Sequence, residues 1–170
     1  APCVFDVSPT NRVHGYGTAT NSFTVATQDG CAWTVSNTNE WITILSDAHN
    51  TNSGSVLYSV AENPIILERT GFVAVADQIV TLVQHGAPCT FDLSPTNRTH
   101  GFGSATNFVT LTALAGCEWS VVNTNDWITI LSGTNNSGSN IVAYSIAANP
   151  TIYDRSGVVM ISDQSLTLLQ

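Results

Sequence analysis

The chain has 170 residues, of which only 9% are charged, against about 25% in an average soluble domain. It contains four arginines, no lysine and twelve acidic residues, which give a net charge of -8. Because there is no basic patch, this balance argues against binding to nucleic acid or to anionic membranes. No apolar run approaches the ~20 residues needed to cross a bilayer, so we expect no membrane insertion.

The second half of the chain repeats the first without a gap. The opening APCVFDVSPTNR returns as APCTFDLSPTNR, and the register is kept to the last residue. Such self-similarity indicates tandem domains. We predict domains over 1–84 and 87–170, joined by the linker 85–86. Because the linker is short and Pro88 stiffens the chain after it, we expect a rod.

Short segments rich in β-branched and aromatic residues predict the strands. In the first repeat they are, in chain order, 23–27, 41–45, 56–60, 71–76 and 79–83. Clusters of Gly, Asn, Asp, Ser and Pro separate them, and no segment has sustained helical periodicity. The pattern predicts an all-β fold, with two tandem immunoglobulin-like β-sandwich domains of about seven strands each. Asp77–Gln78 and Asp163–Gln164 are predicted to be hairpin turns.

Each repeat has two cysteines in the same places. Of the three ways to pair four cysteines, only Cys3–Cys31 with Cys89–Cys117 gives both repeats an internal bond. We predict these two disulfides, with buried free thiols as the alternative. A zinc site is disfavoured because there is no C-x-x-C spacing, and the loop 47–54 lacks the spacing of a calcium site. We therefore expect no metal and no cofactor.

The strand aromatics and the basic side chains are predicted to be structural. Apolar neighbours favour core positions for Trp33, Trp41, Tyr58, Trp119, Trp127 and Tyr144. His14 and His100 are expected to be buried and hydrogen-bonded. The arginines are expected to pair with nearby carboxylates, such as Arg12 with Asp6, Arg69 with Glu68, Arg98 with Asp92 and Arg155 with Asp154.

The motifs Cys31-Ala-Trp33, Trp41-Ile-Thr-Ile44 and Leu93-Ser-Pro-Thr-Asn-Arg98 resemble the BACON family and its BACON-like relatives. The resemblance covers both repeats and continues through the segment Tyr144-Ser-Ile-Ala-Ala-Asn-Pro150. It implies immunoglobulin-like β-sandwich modules of bacterial secreted and surface proteins, often found in arrays or beside enzymes. The family name also implies carbohydrate binding.

We expect a non-enzymatic extracellular structural module at the bacterial cell surface. The disulfide-stapled rod would act as a stalk, a spacer or a filament subunit. Its partners would be copies of itself, joined laterally or head to tail, with Gln170 of one copy meeting Ala1 of the next as Gln84 meets Ala87. The low surface charge favours such packing because it removes self-repulsion.

The alternative is a carbohydrate-binding adhesion module with two weak sites that act together. The candidate glycan-binding residues are Tyr16 and Phe102, each between two glycines, and Tyr153. We expect no catalytic residues, because the carboxylates are scattered and there is no nucleophile motif.

Overall fold

The computed structural model describes residues 2–170, and every helix or strand assigned in them is a β-strand. Ala1, which belongs to the expected head-to-tail contact, lies outside the described residues. The chain divides into two compact units, module 1 up to Pro88 and module 2 from Cys89 to Gln170. No helix in the described part of the chain is long and apolar enough to cross a membrane.

Each module has nine strands. In module 1 they are β1 Phe5–Ser8, β2 Asn11–His14, β3 Ala19–Thr27, β4 Ala32–Asn37, β5 Ile42–Ile44, β6 His49–Thr51, β7 Gly54–Val60, β8 Arg69–Val75 and β9 Gln78–Gln84. In module 2 they are β10 Phe91–Ser94, β11 Asn97–Thr99, β12 Ala105–Ala113, β13 Glu118–Asn123, β14 Ile128–Ile130, β15 Asn135–Ser137, β16 Asn140–Ile146, β17 Ser156–Ile161 and β18 Gln164–Leu169.

The strands of each module form two sheets. Module 1 has a four-stranded sheet, β1-β3-β7-β5, and a five-stranded sheet, β2-β9-β8-β4-β6. Module 2 has β10-β12-β16-β14 and β11-β18-β17-β13-β15. Neighbouring strands are antiparallel except β2 with β9 and β11 with β18, which are parallel. The predicted all-β, immunoglobulin-like sandwich is confirmed.

The count of nine strands differs from the expected seven or so, because some strands are too short to show periodicity. β6 has only three residues. The first strand region is also divided: β1 pairs with β3, whereas β2 pairs with β9 in the other sheet. Pro9 lies between them, and a proline has no N–H to donate to a continuous ladder.

The core of each module lies between its two sheets, and a disulfide fastens the chain beside it. Both predicted disulfides are confirmed, with Cα atoms 5.7 Å apart in Cys3–Cys31 and 5.5 Å apart in Cys89–Cys117. Each joins residues 28 positions apart, and the chain-entropy model gives such a bond roughly 3–4 kcal/mol. Trp33 and Trp119 are buried as predicted, and each indole Nε1 donates to a backbone carbonyl at 2.7 Å.

The predicted hairpins are present, but each turn begins one residue earlier than expected. In module 1 the loop is Ala76–Asp77, because Val75 pairs with Gln78. Ala76 has φ of 53°, and the equivalent Ser162 has φ of 54°. This left-handed region favours glycine, since a Cβ there is crowded by the backbone.

We expect Ser162→Gly to stabilise module 2 by about 1 kcal/mol, because it relieves the left-handed conformation. This corresponds to a melting temperature higher by roughly 4–8 °C in a domain of this size. Scanning calorimetry measures the change.

The matched control is Ser165→Gly, at an exposed position inside β18. It is expected to destabilise by about 0.5–1 kcal/mol, because glycine loses more entropy in a regular strand. If both substitutions lower the melting temperature equally, the turn conformation is not a source of strain.

Candidate functional site

A buried glutamine closes one end of each module. Gln84, at the end of β9, is fully buried. Its Nε2 donates to the carbonyls of Tyr16 at 3.0 Å, Gly17 at 3.0 Å and Ala61 at 2.9 Å. Its Oε1 accepts a hydrogen bond from Nε of Arg69 at 2.9 Å. One side chain therefore joins two loops to the end of the five-stranded sheet.

Arg69 connects this glutamine to a tryptophan. The guanidinium lies 4.4 Å from the centroid of the Trp41 ring, and its Nη2 donates to the carbonyls of Ala61 and Glu62 at 2.8 and 3.0 Å. The predicted pair of Arg69 with Glu68 is wrong. The guanidinium of Arg69 already contacts an amide oxygen, two carbonyl oxygens and an aromatic ring, so it does not need a carboxylate partner.

Module 2 repeats this arrangement. Arg155 lies 4.3 Å from the centroid of Trp127 and donates to Oε1 of Gln170 through Nε at 2.9 Å and Nη2 at 2.6 Å. We call each set of three side chains the Gln–Arg–Trp node. Trp41 and Trp127 were predicted to be core residues, but they are only partly buried; they pack against the core, and the arginine lies over the ring.

The other two arginines also bind amides rather than carboxylates. Arg12 donates to Oδ1 of Asn21, and Arg98 donates to Oδ1 of Asn107 at 2.7 Å. Their predicted pairs with Asp6 and Asp92 are therefore wrong. Within residues 2–170 one contact has the geometry of a salt bridge, between Nδ1 of His85 and a carboxylate oxygen of Glu68 at 3.1 Å.

Each module holds a histidine against a buried tyrosine; both histidines are hydrogen-bonded as predicted, but only His14 is buried and His100 is partly buried. Nε2 of His14 lies 3.0 Å from the Tyr58 hydroxyl, and Nε2 of His100 lies 3.1 Å from the Tyr144 hydroxyl. Both tyrosines are fully buried. Burial lowers the pKa of both histidines, and a neighbouring arginine lowers each pKa further. The pair therefore acts as a neutral, structural contact.

The three candidate glycan-binding aromatics all lie on exposed loops. The exposed fractions are 44% for Tyr16, 82% for Phe102 and 75% for Tyr153. Asn149 brings the last two together, since its backbone N donates to the Phe102 carbonyl and its Nδ2 to the Tyr153 carbonyl, both at 2.8 Å. Tyr16 belongs to the other module. The three residues therefore remain predictions, of which two share one end of module 2.

A second candidate site was not found from the sequence. Each module has a shallow groove of about 400 Å³ on the outer side of its four-stranded sheet (≈ 420 and ≈ 380 Å³). Thr20 and Thr43 are both register partners of Ser59 across three adjacent strands, so hydroxyls form a row. We call these the hydroxyl grooves. They are lined by Thr18, Ala19, Thr20, Thr43, Ser59, Val60 and Ala61, and by Ser104, Ala105, Thr106, Thr129, Ser145, Ile146 and Ala147.

The only sequence signal for these grooves is that both repeats keep small and hydroxyl residues at matching positions. Polar residues on the outer face of a strand are common, so this pattern alone does not indicate a site. The groove becomes visible only when β3, β7 and β5 are placed side by side.

Two family models match the chain. Residues 4–87 match the model described as "Viral BACON domain", and residues 118–170 match the BACON model described as "Putative binding domain, N-terminal". Comparison with curated proteins gives no match.

Several solved structures are similar at low identity. A Bacteroides ovatus GH5 xyloglucanase in complex with a XXXG heptasaccharide has 18% identity and a TM-score of 0.44, over 49% of this chain and 19% of its own. The I9-I11 tandem from titin has 8% identity and a TM-score of 0.34, over 98% and 65%. The D0-D1 domain of intimin has 12% identity and a TM-score of 0.33, over 97% and 94%. This chain thus spans about a fifth of the xyloglucanase, and no function follows from likeness at this level.

Both modules are thus small all-β sandwiches of the immunoglobulin-like class, each with one disulfide and one Gln–Arg–Trp node. The two family matches together span most of the chain. The chain belongs to the BACON family, as a tandem of two modules. This is a class of binding or structural modules, and the disulfides are typical of an extracellular, oxidising compartment.

The two histidines that contact tyrosine predict a loss of stability in acid. Because their pKa values are lowered from 6.5 in the folded state, the unfolded chain binds protons more readily. The free energy of unfolding should therefore be greatest above pH 6.5 and fall as the pH drops below it. We expect the double variant His14→Gln/His100→Gln to show a shallower decline between about pH 6.5 and 5 in urea unfolding.

The matched control is His49→Gln, which replaces an exposed histidine outside the core. The acid decline should stay as steep as in the unmodified protein. An equal change in both variants would show that the histidine–tyrosine pairs are not responsible.

Proposed function

We propose that this chain is a non-enzymatic extracellular structural module that associates with copies of itself, as a stalk, a spacer or the subunit of a surface filament. The observation that carries the proposal is the outer face of the five-stranded sheet in module 1. On β2, β9, β8 and β4, the outward-pointing side chains are uncharged. They are Asn11, Val13, Ala32, Thr34, Ser36, Thr70, Phe72, Ala74, Ile79, Thr81 and Val83. We call this the uncharged sheet face.

Large apolar side chains are distributed across this face. Val13, Phe72 and Ile79 are exposed, on three different strands. Val13 pairs with Val83, Phe72 pairs with Thr81, and Ile79 pairs with Ala74, so the rows lie side by side. Contiguous exposed apolar surface on a soluble protein marks an interaction site, because water contact there is unfavourable.

The corresponding face of module 2 has the same character. Val122 and Met160 are cross-strand partners and both are exposed, and Val158 lies two residues from Met160 on the same strand. Glu118 is the charged residue on this face. Two faces of this kind can approach closely, since few charges have to be desolvated and little repulsion opposes contact.

We expect Phe72→Lys to weaken self-association by at least about tenfold, because a buried ammonium without a partner costs more than 1.4 kcal/mol. Analytical ultracentrifugation over a wide concentration range measures the association. Electron microscopy of the same samples, and of native material, tests for filaments.

The control is Leu57→Lys, which makes the same change at an exposed position on the four-stranded sheet. It should leave association unchanged. A protein that stays monomeric at high concentration, with no filaments in native material, would contradict the proposed function.

The hydroxyl grooves favour a second candidate function, the binding of a neutral glycan. A row of hydroxyls offers both donors and acceptors to sugar hydroxyls. The same groove occurs in both modules, so a long glycan that reaches both grooves would gain affinity from two weak contacts. Phe102 and Tyr153 offer exposed aromatic faces at the end of module 2, which supports the same function.

Titration with a broad set of neutral oligosaccharides, followed by amide NMR, tests this candidate. Ligand-induced shifts of the backbone amides at positions 43 and 129 would support it, provided that they are lost in the double variant Thr43→Val/Thr129→Val. Valine keeps the shape of the side chain and removes the hydroxyl. Thr81→Val, on the other sheet, is the control. If no oligosaccharide binds at millimolar concentration, the candidate fails.

A further inference from the structure

The only methionine of this chain lies in the middle of the outer face of the five-stranded sheet in module 2. Met160 is in β17, the third strand in the order β11-β18-β17-β13-β15. Its cross-strand partners are Val122 on β13 and Ser165 on β18. Because its neighbours Val159 and Ile161 are fully buried, Met160 points away from the core.

The thioether of Met160 is accessible to an oxidant. Met160 is 41% exposed, and the apolar residues beside it, Val122 and Val158, are 55% and 48% exposed. Cysteine thiols are the other sulfur groups of proteins that oxidise readily. All four cysteines are joined in the two disulfides, so this chain has no thiol that competes for an oxidant. Met160 is therefore the sulfur of this chain that reacts most readily with a peroxide.

The equivalent position on the uncharged sheet face of module 1 lacks this chemistry. It is Ala74, which pairs with Ile79 as Met160 pairs with Ser165. The large apolar residues of that face, such as Phe72 and Ile79, contain no sulfur. Oxidation of sulfur can therefore change the apolar face of module 2 and leave that of module 1 as it is.

We propose that Met160 is a reversible oxidation site that controls the association of copies through module 2. This inference rests on the proposed self-association, and it adds a regulation of the same surface. The oxidant is a hydroperoxide, of which hydrogen peroxide is the simplest. The sulfur attacks one peroxide oxygen, so that an S–O bond forms and the O–O bond breaks. Sulfur loses two electrons, and the other oxygen takes up the proton of the transferred oxygen and leaves as water or as an alcohol.

The sulfoxide oxygen opposes association because it has to give up water when it is buried. Val122 and Val158 offer no hydrogen-bond donor to this oxygen, and Ser165 offers one hydroxyl. A polar group that loses water without full replacement costs free energy, so oxidised faces associate less tightly. Methionine sulfoxide reductases, which use two electrons from a thiol donor, restore the apolar side chain.

Treatment of the protein with hydrogen peroxide tests the proposal. Intact mass spectrometry should show the addition of one oxygen, and peptide mapping should place it on Met160. In analytical ultracentrifugation we expect association to weaken by about tenfold. The melting temperature should not change, because the side chain lies outside the core. The two reductases, one for each sulfoxide epimer, should restore association while the intact mass shows that both disulfides remain closed.

Two variants separate the thioether from any other group that peroxide attacks. Met160→Leu keeps an apolar side chain of similar size, so it should associate like the unmodified protein both before and after peroxide. Met160→Gln places a polar amide at this position without an oxidant, and it should weaken association about as much as the sulfoxide does. The inference is overturned if the sulfoxide form associates normally, or if peroxide weakens Met160→Leu as strongly as the unmodified protein. Failure of peroxide to oxidise Met160 in the folded protein overturns it as well.

The failures of the two proposals are distinguishable. If copies associate and Phe72→Lys disrupts them, but oxidation of Met160 has no effect, then Met160 does not control association and the proposed function stands. If copies do not associate under any condition, the proposed function fails, and the control of association by Met160 fails with it.

Discussion

The pairing of β8 with β9 is the constraint on which the end of each module depends. It sets Arg69 directly opposite Gln84, and the equivalent pairing sets Arg155 near Gln170. Once these side chains meet, the guanidinium covers a tryptophan face and the glutamine amide fastens two loops. A buried polar group is stable only when its partners are all present, so the node orders loops that have little apolar surface of their own.

The disulfide and the node act on different parts of the module. Cys3–Cys31 fastens the chain before β1 to the start of β4, whereas the node holds the loops beyond β2 and β7. A sandwich of fewer than 90 residues buries a limited core. Because the disulfide and the node fasten different parts of the module, they limit local opening without adding charged residues. A surface with few charges is compatible with the proposed self-association.

The low content of charged residues is reflected in the groups that the arginines bind. Arginines that would pair with carboxylates in a more charged protein bind asparagine, glutamine, backbone carbonyls and tryptophan here. Most acidic side chains lie in loops and turns, and the uncharged sheet face carries mainly apolar and hydroxyl side chains. Both candidate functions, self-association and glycan binding, depend on sheet surfaces with few charged side chains, because charge on the sheet would oppose close contact.

The repeat also shows how context changes equivalent residues. Asn63 and Asn149 have the same backbone role, yet one is buried beneath the segment 85–87 and the other is half-exposed. The local sequences of the two loops differ little in polarity. The difference in exposure comes from the segment 85–87, which lies over the loop of module 1.

Several features of this protein were determined by its sequence alone. The gapless repeat indicated two modules, the alternation of apolar residues predicted an all-β sandwich, and the cysteine positions left one pairing internal to both repeats. Motifs around Trp33 and Trp41 indicated the family. These inferences succeed because they need only local pattern or counting.

Tertiary structure alone decided which groups the arginines bind and where the candidate sites lie. Arg69 was expected to bind Glu68, its neighbour in the chain, but the register of β8 with β9 brings Gln84 to Arg69, and Glu68 contacts His85 instead. Likewise, the hydroxyl grooves need three strands side by side. Contacts between residues far apart in the chain are set by strand register, which no local pattern records.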